Sequence, residues 1–391
     1  MDPVAGAGSA GSVGTATTTR SWLTSVDFRV GLGMANLGFY VASIGVVVVL
    51  LAPDLGLQIG QVAWVGSIFG YGLLFMALAG PGLLRLGANR VLGFSAAGLG
   101  IGSLLLGLPL GTVAVYCGAI LQGLGAAGIA LVAPKFLHGP EAEARLTRAN
   151  AAASLAGVAA PLLLGIAALI GLGGRLPLLL MAACMGLLLV ATIRSGPDSE
   201  PTVAPGLGAP MRVARRTAFR NWMALVCSVA AEFSFVVWGV VRLTGTGLDP
   251  GAAALVGAAF PIGMAVGRVA GPSMIARLPM VAVGCGLAAL GTVMVVWGSS
   301  WPVVGAGQLV AGFGLATLYP IMVARLMATP GLLPELGASL GVLGSGLAIT
   351  IAPAVLALLA EVVDLRLAFL VPLPLLLGVM LLHGRQRPLA A

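Results

Sequence analysis

The sequence predicts an all-α polytopic membrane protein, twelve transmembrane helices arranged as two six-helix halves. Three observations carry that prediction. The 391 residues are 59% hydrophobic and 8% charged, with a mean hydropathy of +1.09. The apolar residues gather into twelve segments of helix-spanning length, and short motifs recur at one spacing. Soluble domains carry about 25% charged residues. Here 20 basic and 12 acidic side chains cannot cover a water-facing surface of this size. A soluble enzyme, a secreted module and a disordered chain are thereby excluded.

Residues 1–20 are rich in Gly, Ala, Thr and Ser and are expected to form a disordered tail. No basic stretch opens them, so they do not read as a secretory signal. The first half, 21–194, holds apolar segments at 30–52, 62–83, 91–109, 112–132, 151–170 and 176–193. Residues 195–220 contain Pro, Gly and several arginines and read as a solvated linker. The second half, 221–385, holds segments at 222–241, 252–271, 281–297, 303–327, 340–359 and 367–382, followed by a short tail, 386–391. Each segment is long enough, or nearly so, to cross a hydrocarbon layer of ~30 Å as a helix. The period-two alternation of a membrane barrel is absent.

Arginine placement gives the orientation. With the N-terminus inside, the cytoplasmic segments hold 17 of the 20 basic residues, Arg268 among them, and the outside keeps only Arg175, Arg242 and Arg366. That bias predicts cytoplasmic termini. The pI near 10.2 has no dense basic run behind it, so no nucleic-acid partner is expected. The four cysteines lie inside apolar segments without disulfide or metal spacing and read as packing residues.

The division into halves rests on a repeat. Gly80-Pro81 recurs as Gly271-Pro272, and Gly123-x-Gly125 as Gly312-x-Gly314. Ala156-xxx-Ala160-Pro161 recurs as Ala348-xxx-Ala352-Pro353, and Arg175 as Arg366. The offsets are 191, 189, 192 and 191 residues, in order along the chain. Halves of like topology imply a pseudo-two-fold axis along the membrane normal.

The loop Gly80-Pro-Gly-Leu-Leu84-Arg85-Leu-Gly87-Ala-Asn-Arg90 resembles the signature loop of the major facilitator superfamily. Gly80, Arg85, Gly87 and Arg90 match it, and Leu84 replaces the family's acid, so the charge latch of that loop is incomplete here. Gln122-Gly123-x-Gly125-x-Ala127 is similar to a fourth-helix pattern of the family, with Ala119 where the family has arginine. Ala156-xxx-Ala160-Pro161-x-x-x-Gly165 is similar to a degenerate form of the family's antiporter motif, where small residues let helices approach closely, while the region around Tyr319-Pro320 and Ala352-Pro353 resembles sugar permeases of the fucose/galactose type. The resemblance implies the twelve-helix fold with a central cavity lined by helices 1, 4, 7 and 10. The dinucleotide-like Gly123-Leu-Gly125-Ala-Ala-Gly128 lies inside an apolar segment with no preceding strand and carries no such meaning.

Glu232 is the most informative residue, a carboxyl group near the middle of the seventh segment with no charged residue within nine positions. A charge at membrane depth costs roughly 2.5–3.5 kcal/mol on insertion scales and is normally functional. It is the candidate for carrying a coupling proton or meeting a polar ligand group; its bland alternative is an interhelical tie. Asn36 and Tyr40, four apart on the first helix, with Gln122, Trp238, Gln308 and Tyr319 on the fourth, seventh and tenth, are cavity candidates by the resemblance. Asp27, Arg29 and Arg242 are expected as membrane anchors or gate salt bridges. The scarcity of deep cations argues against an organic-anion carrier.

These readings point to a secondary active transporter working by alternating access on a small molecule. It is expected to be a monomer in the bilayer of a bacterial cytoplasmic membrane, with protons as coupling ion and no other cofactor, no metal and no catalytic residues. Proton-coupled efflux of an amphipathic drug or metabolite is favoured. The alternatives are uptake of a small neutral solute such as a sugar, and, less favoured, a membrane enzyme or a non-transporting protein.

Overall fold

The computed structural model describes residues 24–137, 141–196, 214–275 and 278–383. The tails and most of the linker expected from the sequence lie outside these residues.

The first half contains α1 (Val26–Leu55), α2 (Ile59–Leu83), α3 (Ala88–Gly107), α4 (Thr112–Phe136), α5 (Ala142–Leu169) and α6 (Leu176–Arg194). The second contains α7 (Arg215–Thr244), α8 (Pro250–Gly257), α9 (Ala259–Ile275), α10 (Met280–Trp297), α11 (Trp301–Leu315), α12 (Leu318–Met327), α13 (Pro334–Val362), α14 (Leu365–Ala368) and α15 (Pro372–His383). Paired as α8–α9, α11–α12 and α14–α15, these make twelve spans long and apolar enough to cross a membrane. No strand occurs among the described residues. In a bilayer that leaves every backbone bond inside its own helix, as the solvent demands.

Two of the starts that differ from the sequence reading bear on the site. α7 begins at Arg215, inside the stretch assigned to the linker, and α5 begins at Ala142, two turns before its apolar segment. Polar and arginine-bearing first turns extend both helices past the hydrophobic boundary.

The eighth, tenth and twelfth spans are broken, and each break precedes a proline. Pro261, Pro320 and Pro372 have no N–H to give the carbonyls of Gly257, Ala316 and Ala368, four residues earlier. Pro161 and Pro353 are carried within continuous α5 and α13.

Glycines let the helices touch backbone to backbone, and their contacts repeat between the halves. A Cβ on Gly123 of α4 would strike the Phe69 carbonyl of α2; one on Gly312 of α11 would strike the Phe260 carbonyl of α9. Gly102 and Gly118 approach each other's carbonyls between α3 and α4, as Gly291 and Gly307 do between α10 and α11. Each partner lies 189 or 191 residues from its counterpart, the spacing of the sequence repeat. The nucleotide-like glycine run is thus a packing surface for α2 and α3.

Candidate functional site

A cavity of about 860 Å³ lies between the two sets of six spans. Its walls come from the first, second, fourth, fifth, seventh, eighth, tenth and eleventh spans, a broader set than the four expected. Most of its surface is apolar, with Phe69, Phe233, Phe235 and Phe260 among the lining residues. Phe235 and Phe260 stack with ring centroids 5.3 Å apart.

The cavity lies toward the membrane face that carries Asp27. Residues 34–42 of α1, 126–130 of α4 and 150–157 of α5 contribute, all from the parts of those helices nearer that face. Toward the opposite face, which carries Asp54, the halves close on each other. A Cβ on Gly45 would sit 2.5 Å from the Val236 carbonyl oxygen of α7, and one on Gly165 would sit 2.8 Å from the Gly251 carbonyl oxygen of α8. In the first six spans the lining is thus weighted to the Asp27 side, while toward the Asp54 side the halves meet backbone to backbone.

Glu232 lines the cavity, as do Gln308 and Tyr319. Glu232 makes no hydrogen bond to another described residue and no ion pair, so its carboxyl group is free to meet an ion or a ligand. The Gln308 amide donates to the Gly239 carbonyl at 2.8 Å, joining α11 to α7 at the cavity wall. Ser345 also lines the cavity, and its hydroxyl donates to the Gly341 carbonyl at 2.9 Å.

Four cavity expectations are corrected. Asn36, Tyr40, Gln122 and Trp238 are all buried, and none lines this cavity. Asn36 and Tyr40 fall on the face of α1 turned away from the cavity-lining Leu37, Gly38 and Val41, and the Tyr40 ring packs on Phe69 at 5.3 Å. Gln122 turns to α3, donating to the Leu99 carbonyl at 3.1 Å and the Ser103 hydroxyl at 2.7 Å. The Trp238 indole donates to the Pro353 carbonyl at 3.2 Å and ties α7 to α13.

The gate expectation is corrected too. Asp27 pairs with Arg145 at 2.6 Å, and Arg29 donates to Asn89 at 2.7 Å while lying over the Phe136 ring. These partners all belong to the first six spans. Arg242 is 1% exposed and donates to the carbonyls of Val295 and Gly298 at 3.1 and 2.6 Å, closing the end of α10 within the last six. Each of these contacts stays within one half. In the signature loop, Gly87 has a φ of 98°, which favours glycine, and it turns the chain into α3, while Arg85 and Arg90 are exposed. Gly80 packs near Leu131 of α4. Ala160, Pro161, Ala352 and Pro353 are buried between helices.

The main omission is Arg268. Counted with the cytoplasmic arginines, it lines the cavity from the last two turns of α9, a placement the sequence reading did not foresee. Its guanidinium donates to the Ser154 hydroxyl of α5 at 3.3 Å, a bond between the two sets of six spans. Its position inside an apolar segment was the available signal. Asn150 and Ser154 also line the cavity, and their four-residue spacing became a helical face only once α5 began at Ala142.

Twelve apolar spans packed around a ligand-sized cavity between two sets of six define a multi-pass membrane carrier. The sequence matches the Major Facilitator Superfamily over residues 30–331, and the chain belongs to that family. It is a transporter of that family. Among solved structures, a mutant of the nucleoside transporter NupG is similar at a TM-score of 0.71, with 13% identity over 92% of this chain and 100% of that one. A mutant of the peptide transporter POT in complex with alafosfalin has a TM-score of 0.71, with 16% identity over 92% and 93% of the two chains. A POT family transporter in complex with 5-aminolevulinic acid has a TM-score of 0.67, with 14% identity over 90% and 94%. At these identities the likeness concerns the fold. No curated protein sequence matches the chain.

Proposed function

We propose that the protein is a proton-coupled carrier that exports an amphipathic organic molecule by alternating access of its two six-helix halves. The observation that carries the reading is Glu232, a carboxyl group in a predominantly apolar cavity with no hydrogen bond or ion pair to another described residue. A group so placed suits a cycle in which proton and ligand exclude one another. The aromatic wall supports an amphipathic ligand. The small-residue contact of Gly165 with Gly251, one turn beyond Ala160-Pro161, supports the antiport assignment through its likeness to the antiporter motif. Sixteen basic residues, the earlier seventeen less Arg268, favour the Asp27 face and both termini as cytoplasmic.

A second reading is uptake of a small polar solute by symport. Asn150, Gln308 and Tyr319 at the cavity supply hydrogen-bonding groups for it, and similar structures include nucleoside and peptide transporters.

The test is transport into proteoliposomes across a compound panel under an imposed pH gradient, comparing wild type with Glu232→Gln. The variant is expected to lose gradient-driven accumulation while keeping ligand exchange at equal pH. Undiminished accumulation in the variant at equal protein levels would refute the role of Glu232. The direction of net movement against the gradient separates export from uptake.

A further inference from the structure

The cavity carries one charge of each sign. Of its lining residues only Glu232, on α7, and Arg268, on α9, are charged. They are near enough to interact electrostatically, yet no ion pair joins them. Arg268 is engaged instead by Ser154 across the cavity wall. A single hydroxyl uses one of the five guanidinium N–H groups and offers no negative charge in return. Glu232 likewise has no cation of the protein bound to it. Among the described residues neither charge has an ion-pair partner of opposite sign, although both border the same apolar-walled cavity.

We propose that the ligand is a zwitterion on an apolar body, its cationic group meeting Glu232 and its anionic group meeting Arg268. The inference rests on the reading of this cavity as the transport site. A ligand with only a positive charge would satisfy Glu232 and place its cation in the field of Arg268 with no compensation. An anion would meet the reverse arrangement. A zwitterion neutralises both protein charges at once, and its apolar body rests on the phenylalanine wall beside Phe235 and Phe260. The planar guanidinium suits a carboxylate, phosphonate or sulfonate, which it can grip through two N–H groups.

The experiment measures equilibrium binding to the full chain in lipid nanodiscs by calorimetry, at constant pH and with no gradient. The probes share one scaffold: naphthylalanine (zwitterion), its amide (cation), its N-acetyl derivative (anion) and the N-acetyl amide (neutral). Naphthylalanine is expected to bind about tenfold more tightly than either singly charged form, the worth of one charge-assisted hydrogen bond. Arg268→Gln should erase its advantage over the amide without weakening the amide. Arg268→Lys should restore part of that advantage, which a merely structural role for Arg268 would not produce. Wild-type binding of the amide as tight as that of naphthylalanine overturns the proposal, as does an Arg268→Gln penalty equal for all four probes. Failure of proton coupling shows separately, as pH-driven transport that survives Glu232→Gln, because the probe ranking is read without a gradient.

Discussion

Gly45→Ala should push the carrier out of the arrangement described here. The added methyl would lie 2.5 Å from the Val236 carbonyl oxygen and 2.9 Å from that of Val237, both main-chain atoms of α7. Neither can swing aside, so α1 and α7 must part by roughly 1 Å to reach van der Waals distance. Overpacking of this kind costs about 1–3 kcal/mol. The contact joins the two halves only when the Asp54 face is closed, so under alternating access the cost falls on one state. The ratio of open to closed at that face should then rise about 5- to 150-fold. The assay uses a chain with Cys117, Cys184, Cys227 and Cys285 replaced by serine and a single reporter, Val240→Cys, at the cavity wall. A membrane-impermeant maleimide added from the Asp54 side should label the reporter faster by the same factor. Gly31→Ala is the control, since a methyl there meets nothing within 4 Å. Unchanged labelling in Gly45→Ala, or equal acceleration by Gly31→Ala, would refute the reasoning.

Two further outcomes follow from the corrected residues. Arg242→Met should lower stability by about 2–3 kcal/mol, because the carbonyls of Val295 and Gly298 lose a charged donor. A thermal scan in nanodiscs checks it, and an unshifted melting temperature counts against the capping role. Gln122→Leu removes two interhelical hydrogen bonds at about 0.6 kcal/mol each, so it should cost only about 1.2 kcal/mol and leave transport unchanged. Lost transport at a normal melting temperature would return Gln122 to the ligand path.

The spans were legible because hydropathy in a bilayer is a one-dimensional signal: each helix satisfies its own backbone and needs only length and apolarity. Which face of a helix looks inward was not. Helices that are apolar all round give no stripe to orient them. Asn36 and Gln122 were therefore read as cavity groups from helix identity alone, and they turned out to face neighbours. Glu232 could be singled out because a lone carboxyl in a long apolar run has no inexpensive place except a cavity or a partner. Arg268 was hidden by the same rule that gave the topology, since an arginine near a segment end is ordinarily counted as an anchor. Only the position of α9 beside α5 distinguishes a cavity arginine from a snorkelling one.

The break between α8 and α9 has a consequence for how ligand selectivity evolves. Gly257 borders the cavity, and a glycine can do so only with main-chain atoms. Its carbonyl has no N–H four residues on, because residue 261 is proline, and no substitution at residue 257 can delete that main-chain acceptor. Side chains around the cavity can drift and change what is carried. This oxygen belongs to the scaffold and is inherited with it, so related carriers that keep the proline would share one fixed polar point while diverging around it.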